Sequence, residues 1–288
     1  MAVLTDVQKA AFQANGWLLL ADAVTPAQLA ALRADMDAWT RESRGHARNY
    51  GRTINARPRF DLDPTHAPDH PALRRVNAPI EVSEAHFEVA TDSRMVDAVA
   101  DLIGPDVKLH HTKTNSKQPH TVTPVKYHQD FAFTPHSNED VVTALLFLDD
   151  VDAHNGALEV VSGSHRGPIH SLWRDGRFMG FIDEALERAA RTDAELVTGP
   201  ARAVCLMHTR LLHGSAPNDS AHARTLFISV YSAEDAVPLS PNPMPHRHEG
   251  LLVRGRRSGR VRATLFALEL PELLTGASFF EQQQAAGG

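Results

Sequence analysis

The chain has one cysteine, Cys205, in 288 residues, so it can form no internal disulfide and no thiolate-rich zinc site. A reducing compartment fits that usage. No stretch approaches the length of uninterrupted apolar sequence that a membrane span needs, and the N-terminus, MAVLTDVQKAAF, carries Asp6 where a leader would be apolar. The expectation is a cytoplasmic protein without a membrane partner. There is no basic excess either: the net charge is -6 and the pI near 6.3, which argues against a broad phosphate-neutralising surface and so against nucleic acid. Internal repeats and low-complexity tracts are also missing. What remains is an ordinary globular composition, 42% hydrophobic and 22% charged. One domain over residues 1–288 is the simplest organisation.

Along the chain, Thr5 to Gln8 has capping-box spacing and Gly16 follows as a stop, predicting a helix with Val7, Ala11 and Phe12 inward. A strand-like WLLLAD comes next. Thr25-Pro26 with Gln28 opens a second helix whose Leu29, Leu32, Met36 and Trp39 recur at helical spacing. Residues 44–71 lose any period and read as a long loop holding Arg44, Arg48, Arg52, Arg57 and Arg59. Those arginines are either solvated and paired with nearby acids, or a binding loop for an anionic substrate. Helical pattern returns over 93–103 and stops at Gly104-Pro105.

After about residue 106 the character turns to short β-type runs between turn residues. VKLHHTKT, TPVKYHQDFAF, VVTALLFLDDV, GALEVV, ARAVCLMHT, TLFISVYS and VRATLFALEL are the candidates, which predict an antiparallel sandwich or barrel over about 107–270. Residues 165–200 interrupt the series with Trp173, Phe178, Phe181 and a short helix, as a lid-like insertion would.

In the second of these runs, His128 and Asp130 stand two residues apart, so an extended strand would aim both at one point while Gln129 faces away. A lone pair of this kind is common, and a third ligand is needed. His213 ends an apolar run, and Arg224 follows eleven residues later at the start of the next. Two histidines and a carboxylate would form the facial triad of a non-haem Fe(II) site, with positions left open. An arginine nearby could take a carboxylate bidentately. His208 has the wrong parity for the triad and reads as structural, His165 reads as a turn residue, and Cys205 as a small buried apolar group.

HQD at 128–130, NGALEVVSGSHRG at 155–167, LLHGS at 211–215 and Arg224, in that order, resemble the phytanoyl-CoA dioxygenase family of Fe(II)- and 2-oxoglutarate-dependent oxygenases. The resemblance runs from FQANGWLLL to about residue 235. It implies a double-stranded β-helix (jelly-roll, cupin-like) core with flanking N-terminal helices. It makes His128, Asp130 and His213 the iron ligands, Arg224 the partner of the distal 2-oxoglutarate carboxylate, and Ser215 a support for that carboxylate. HHTKTN at 110–115 matches the strand that lines the co-substrate pocket, with Lys113 as its candidate contact, and Arg75 in ALRRVN matches an upstream basic contact. Where the family places a pocket tryptophan, this chain has Leu146 or Phe147. The implied reaction consumes O2 and 2-oxoglutarate, releases succinate and CO2, and hydroxylates a C–H bond of a small molecule; Asp130, where related halogenases carry Gly or Ala, speaks for oxygenation. A non-catalytic jelly-roll metal- or ligand-binding protein and a metal-dependent hydrolase are the alternatives. The substrate and the oligomeric state, monomer or homodimer, stay open.

Overall fold

The structure, a computed structural model, describes residues 2–272 together with Phe280 and Gln283. Both predicted capping boxes are made: the Thr5 and Thr25 hydroxyls accept from the Gln8 and Gln28 amides, and each glutamine reaches back to its cap. They open α1 (Asp6–Asn15) and α2 (Pro26–Ser43), which flank β1 (Trp17–Leu20). Gly16 ends α1 at φ +82°, a conformation that suits glycine. The inward face of α1 differs from expectation. Phe12 is buried but Val7 is 80% exposed, because five residues turn a helix by about 140° and the two cannot share a face.

Two short strands, β2 (Phe60–Leu62) and β3 (Leu73–Asn77), precede α3 (Glu84–Thr91) and α4 (Arg94–Ile103). Then come β4 (Val107–Lys117), β5 (Val125–His128), β6 (Val141–Phe147), β7 (Leu158–Val160), the hairpin β8 (Trp173–Arg174) and β9 (Arg177–Phe178), and α5 (Glu184–Asp193). The series ends with β10 (Glu195–Val197), β11 (Val204–His208), β12 (His213–Ser215), β13 (Arg224–Ala233) and β14 (Leu251–Arg254). All pairings are antiparallel. An eight-stranded sheet runs β1-β11-β6-β13-β4-β3-β2 with β14 also on β4, and a four-stranded sheet runs β10-β7-β12-β5.

Strand alternation divides the large sheet into two faces. Val142, Ala144, Leu146, Val204, Leu206 and Phe227 pack toward α1 to α4 with Leu32, Met36 and Trp39. Leu145, Phe147, Cys205, Met207, Leu226 and Ile228 face the other way, meeting Leu158 and Val160 of the small sheet. The result is the jelly-roll sandwich, mainly β, with helices over one face and a cavity between the sheets.

Several boundaries differ from the reading of the sequence. TPVKYHQDFAF is a strand only over β5, and a 3-10 turn takes over at Asp130–Ala132. VRATLFALEL forms no strand: Val261 is 60% and Leu270 55% exposed, and the edge of β4 is already filled by β3 at Lys113–Asn115 and by β14 at Val107–Leu109. The 44–71 segment is loop except for β2. Its Arg59 is buried, donating to the Asn77 and Ala78 carbonyls and pairing with Glu81 at 2.7 Å. Phe178 and Ile182 of the 165–200 insertion pack with Tyr127, Ala132 and Leu212.

Candidate active site

His213 of β12 lies directly opposite His128 of β5 in the antiparallel register. Their rings approach to 4.3 Å between centroids. The turn that ends β5 then brings Asp130 back beside them, with Oδ1 at 3.4 Å from His128 Nε2 and 3.8 Å from His213 Nε2. One donor atom from each residue falls within 4.8 Å of the others, the one such cluster among the described residues. Cis donors on an octahedral ion with bonds of about 2.1 Å sit roughly 3 Å apart, so the set fits a divalent metal with a small inward adjustment.

Both imidazoles are set for that task by the same device. His128 Nδ1 meets the Lys126 carbonyl at 2.8 Å, and His213 Nδ1 meets the Leu211 carbonyl at 2.9 Å. A carbonyl can only accept, so each ring carries its proton on Nδ1 and turns the Nε2 lone pair to the centre. Asp130 divides its oxygens: Thr143 donates to Oδ2 at 2.7 Å, which leaves Oδ1 facing the histidines. Burial opposes ionisation of Asp130, but His213 and His128 in their protonated forms and the Lys113 ammonium hold the carboxyl well below its ordinary range; with both rings neutral, Lys113 is the cation that favours its charge. Burial, with His128 adding to it, pushes His213 down to about 4, which keeps the ring neutral. Gln129 faces away, as its parity predicts. Its amide donates to the Pro168 and Arg210 carbonyls and accepts from His170, tying the turn to the segment that leads into β12.

The cluster lies on the wall of a cavity between the sheets. The predicted Lys113, Arg75, Ser215 and Arg224 all line it, and Leu145 does so where Leu146 or Phe147 was expected, because odd-numbered β6 residues face inward and Phe147 is packed into the core. Lys113 Nζ has no hydrogen-bond partner among the described residues, and burial brings it down to about 8. Arg75 donates Nε to Asn115 at 2.8 Å, and burial lowers it to about 10. A bulge between β2 and β3 at Arg74 brings this second arginine to the cavity as well, paired with Asp61 at 2.6 Å. None of the five arginines of the 44–59 loop lines the cavity, and no residue of 165–200 does.

Arg224 is partly committed: its Nε and Nη2 both donate to the Gly156 carbonyl, which leaves the end of the guanidinium, Nη1 with the second hydrogen of Nη2, to a ligand. Lys117 and Thr143 escaped the reading of the sequence. Lys117 shares the parity of Lys113 and Asn115 on β4, which was a signal; nothing local marks Thr143. His208 and His165 are structural, as expected: His208 packs on Phe12 and His165, and His165 reaches the Gln13 carbonyl.

Residues 12–226 match the family profile of phytanoyl-CoA dioxygenase (PhyH). The chain belongs to the phytanoyl-CoA dioxygenase family. Among members of known description it is 37% identical over 222 residues to a Stutzerimonas stutzeri protein named "Probable alpha-ketoglutarate-dependent hypophosphite dioxygenase", covering 74% of this chain and 76% of that one. It is 27% identical over 253 residues to the L-proline trans-4-hydroxylase of Streptomyces griseoviridis, covering 81% and 88%. The iron-bound structure of EctD from S. alaskensis superposes with a TM-score of 0.70 over 89% of both chains at 20% identity, a likeness of fold. As a phytanoyl-CoA dioxygenase family member, the protein is an Fe(II)- and 2-oxoglutarate-dependent dioxygenase acting on a small molecule.

Proposed function

We propose that His128, Asp130 and His213 hold iron(II), and that this site hydroxylates a small anionic substrate. The metal, when bound, supplies the oxidative chemistry: R–H, 2-oxoglutarate and O2 become R–OH, succinate and CO2. The protein supplies the three donors and their orientation through Lys126, Leu211 and Thr143. Ser215 and Arg224 receive the distal carboxylate of 2-oxoglutarate, while Lys113 and Arg75 lie along its path toward the triad.

The observation that carries the substrate class is the charge of the cavity wall. Arg75, Lys113, Lys117 and Arg224 line it against two carboxylates, Asp63 and Asp130, while a fifth lining cation, Arg74, is paired with Asp61 behind the wall. Iron(II) and the 2-oxoglutarate dianion cancel each other, so the cationic excess persists in the loaded enzyme and favours an anion as the third occupant. Asp63 accepts from Thr65 and Thr123, and Asp130 belongs to the triad, so no cavity carboxylate is free to act as the general base of a hydrolase.

Succinate release tests the proposal. With Fe(II), 2-oxoglutarate and O2, small oxyanions such as hypophosphite and short carboxylates should accelerate succinate formation over the uncoupled rate, and neutral analogues of the same size should not. Stimulation by neutral compounds alone would overturn the substrate class. Asp130→Ala should abolish both iron retention and turnover.

A further inference from the structure

Lys117 and Arg224 face each other across the β4–β13 ladder, and both are buried, at 7% and 4% exposure. Neither makes an ion pair with a carboxylate among the described residues. Arg224 gives two of its nitrogens to one carbonyl, Gly156. Lys117 Nζ donates to Ser215 Oγ at 2.8 Å and to the Ala216 carbonyl, which leaves its third N–H without an acceptor. Since Ser215 Oγ accepts from Lys117, the hydroxyl hydrogen is left for a ligand. Asp149 acts on Arg224 and Glu159 on Lys117 only from beyond ion-pair distance, and two buried like charges whose direct partners are neutral are unfavourable without an anion between them. The strain shows in both: burial brings Arg224 to about 10, and burial with Arg224 alongside pushes Lys117 well below the ordinary ammonium range.

Ser215 stands two residues beyond His213 on β12, about 7 Å along an extended strand. That offset separates the triad from the cationic pair by roughly the length of an extended 2-oxoglutarate chain. We propose that Lys117 is a second cationic contact for the distal carboxylate of 2-oxoglutarate, forming with the Nη end of Arg224 and the Ser215 hydroxyl a three-sided anchor. The proposal rests on the assignment of Arg224 and Ser215 to that carboxylate. It gives a purpose to a buried ammonium placed opposite Arg224, whose guanidinium has already given its side to Gly156 and has its end to offer. Gly156 belongs to the same device, since a Cβ there would come within 2.8 Å of Lys117 Cδ.

Anaerobic titration of 2-oxoglutarate into the Fe(II)-loaded protein, followed through the visible charge-transfer absorbance, tests this in wild type, Lys117→Met and Lys117→Gln. 2-Oxovalerate, which lacks the distal carboxylate, is the second probe, and thermal melting without ligand is recorded for each protein. Loss of one charge-assisted contact should weaken 2-oxoglutarate about tenfold to a hundredfold in both variants. Binding of 2-oxovalerate should stay within about threefold, and melting should not fall, because removing an unpaired buried cation relieves Arg224. Unchanged 2-oxoglutarate affinity in the variants would overturn the proposal. So would an equal loss for both probes with a lower melting temperature, the mark of a lysine that only braces Ser215 and Ala216. Lys117→Gln keeps a donor for that brace and decides the matter if the methionine variant does not fold. Absence of the band in wild type would sink the co-substrate assignment itself, whereas a normal band that the variants share sinks Lys117 alone.

Discussion

Asp130 is asked to present one oxygen and hide the other, and Thr143 is what separates the two roles. Its hydroxyl holds Oδ2 at 2.7 Å from the neighbouring β6 strand, inside the cavity wall. In Thr143→Val the carboxylate keeps its charge and its neighbours but loses that tether, so it can rotate away from the Nε2 atoms. Outer partners of metal ligands are typically worth about 10- to 100-fold in affinity. Anaerobic Fe(II) titration should therefore show Thr143→Val weaker by that range while the fold persists, and wild-type affinity would mean that the backbone alone orients Asp130. That His128, Asp130, His213 and Arg224 share one cavity was legible because spacing and resemblance act on residue identity. Thr143 was not, since a threonine inside an apolar strand looks the same whether its hydroxyl meets a carboxylate or a carbonyl. Lys117 was half legible: strand parity placed it with Lys113, but only the register with Arg224 gives that placement a meaning.

At the scale of elements, the site depends on how closely β12 lies on β5. Gly214 sits between His213 and Ser215, and a Cβ there would meet Tyr127 Cδ2 at 2.7 Å and the Val125 carbonyl at 3.0 Å. Tyr127 is fully buried with its hydroxyl on Glu159 at 2.6 Å, and it cannot swing aside cheaply. Gly214→Ala should push the two strands apart, costing about 1–3 kcal/mol in urea denaturation and also weakening Fe(II) binding, because it separates His213 from His128. A variant that loses stability but binds iron normally would show that the ligands ride on their carbonyl hydrogen bonds rather than on strand contact. The strands themselves were legible where a β-type run between turn residues met buried surroundings, as in β4, β6, β11 and β13. That signal failed at VRATLFALEL, where the apolar run was present but β14 and β3 had already taken the available edge of β4, a competition visible only in three dimensions. It also carried the strand too far at HQD: Gln129 is extended at φ -115° and ψ 126°, so His128 and Asp130 project to one side as the spacing predicts, but a 3-10 turn starts at Asp130.

The molecule as a whole stores an acid sensitivity in buried histidines outside the triad. His86 lies under the helical layer against Trp39 and Phe227, His208 sits on β11 beside α1, and His110, His111 and His136 gather near the start of β4. Burial lowers all five below the ordinary histidine value, His136 to about 4 and His208 to about 3. Each stays neutral in the fold while its unfolded counterpart protonates near about 6.5. Between those values the unfolded chain binds more protons, so stability is fully present above about pH 6.5 and is lost as pH falls toward the folded values. Each independent group contributes up to about 1.4 kcal/mol per pH unit in that window. His110 and His111 share one hydrogen bond at 2.7 Å, so they do not titrate independently and the total is less than additive. Asp130, held far below its ordinary range, stays ionised throughout and adds nothing there. The urea midpoint should accordingly fall steeply from pH 7 to pH 5, with a linked uptake of more than one proton on unfolding. His208→Gln should flatten the slope by about one proton without touching iron affinity, since that ring packs on Phe12 and His165 outside the cavity wall. A midpoint constant over that range would show that these rings are already charged in the fold, with water reaching a layer in which they are otherwise buried.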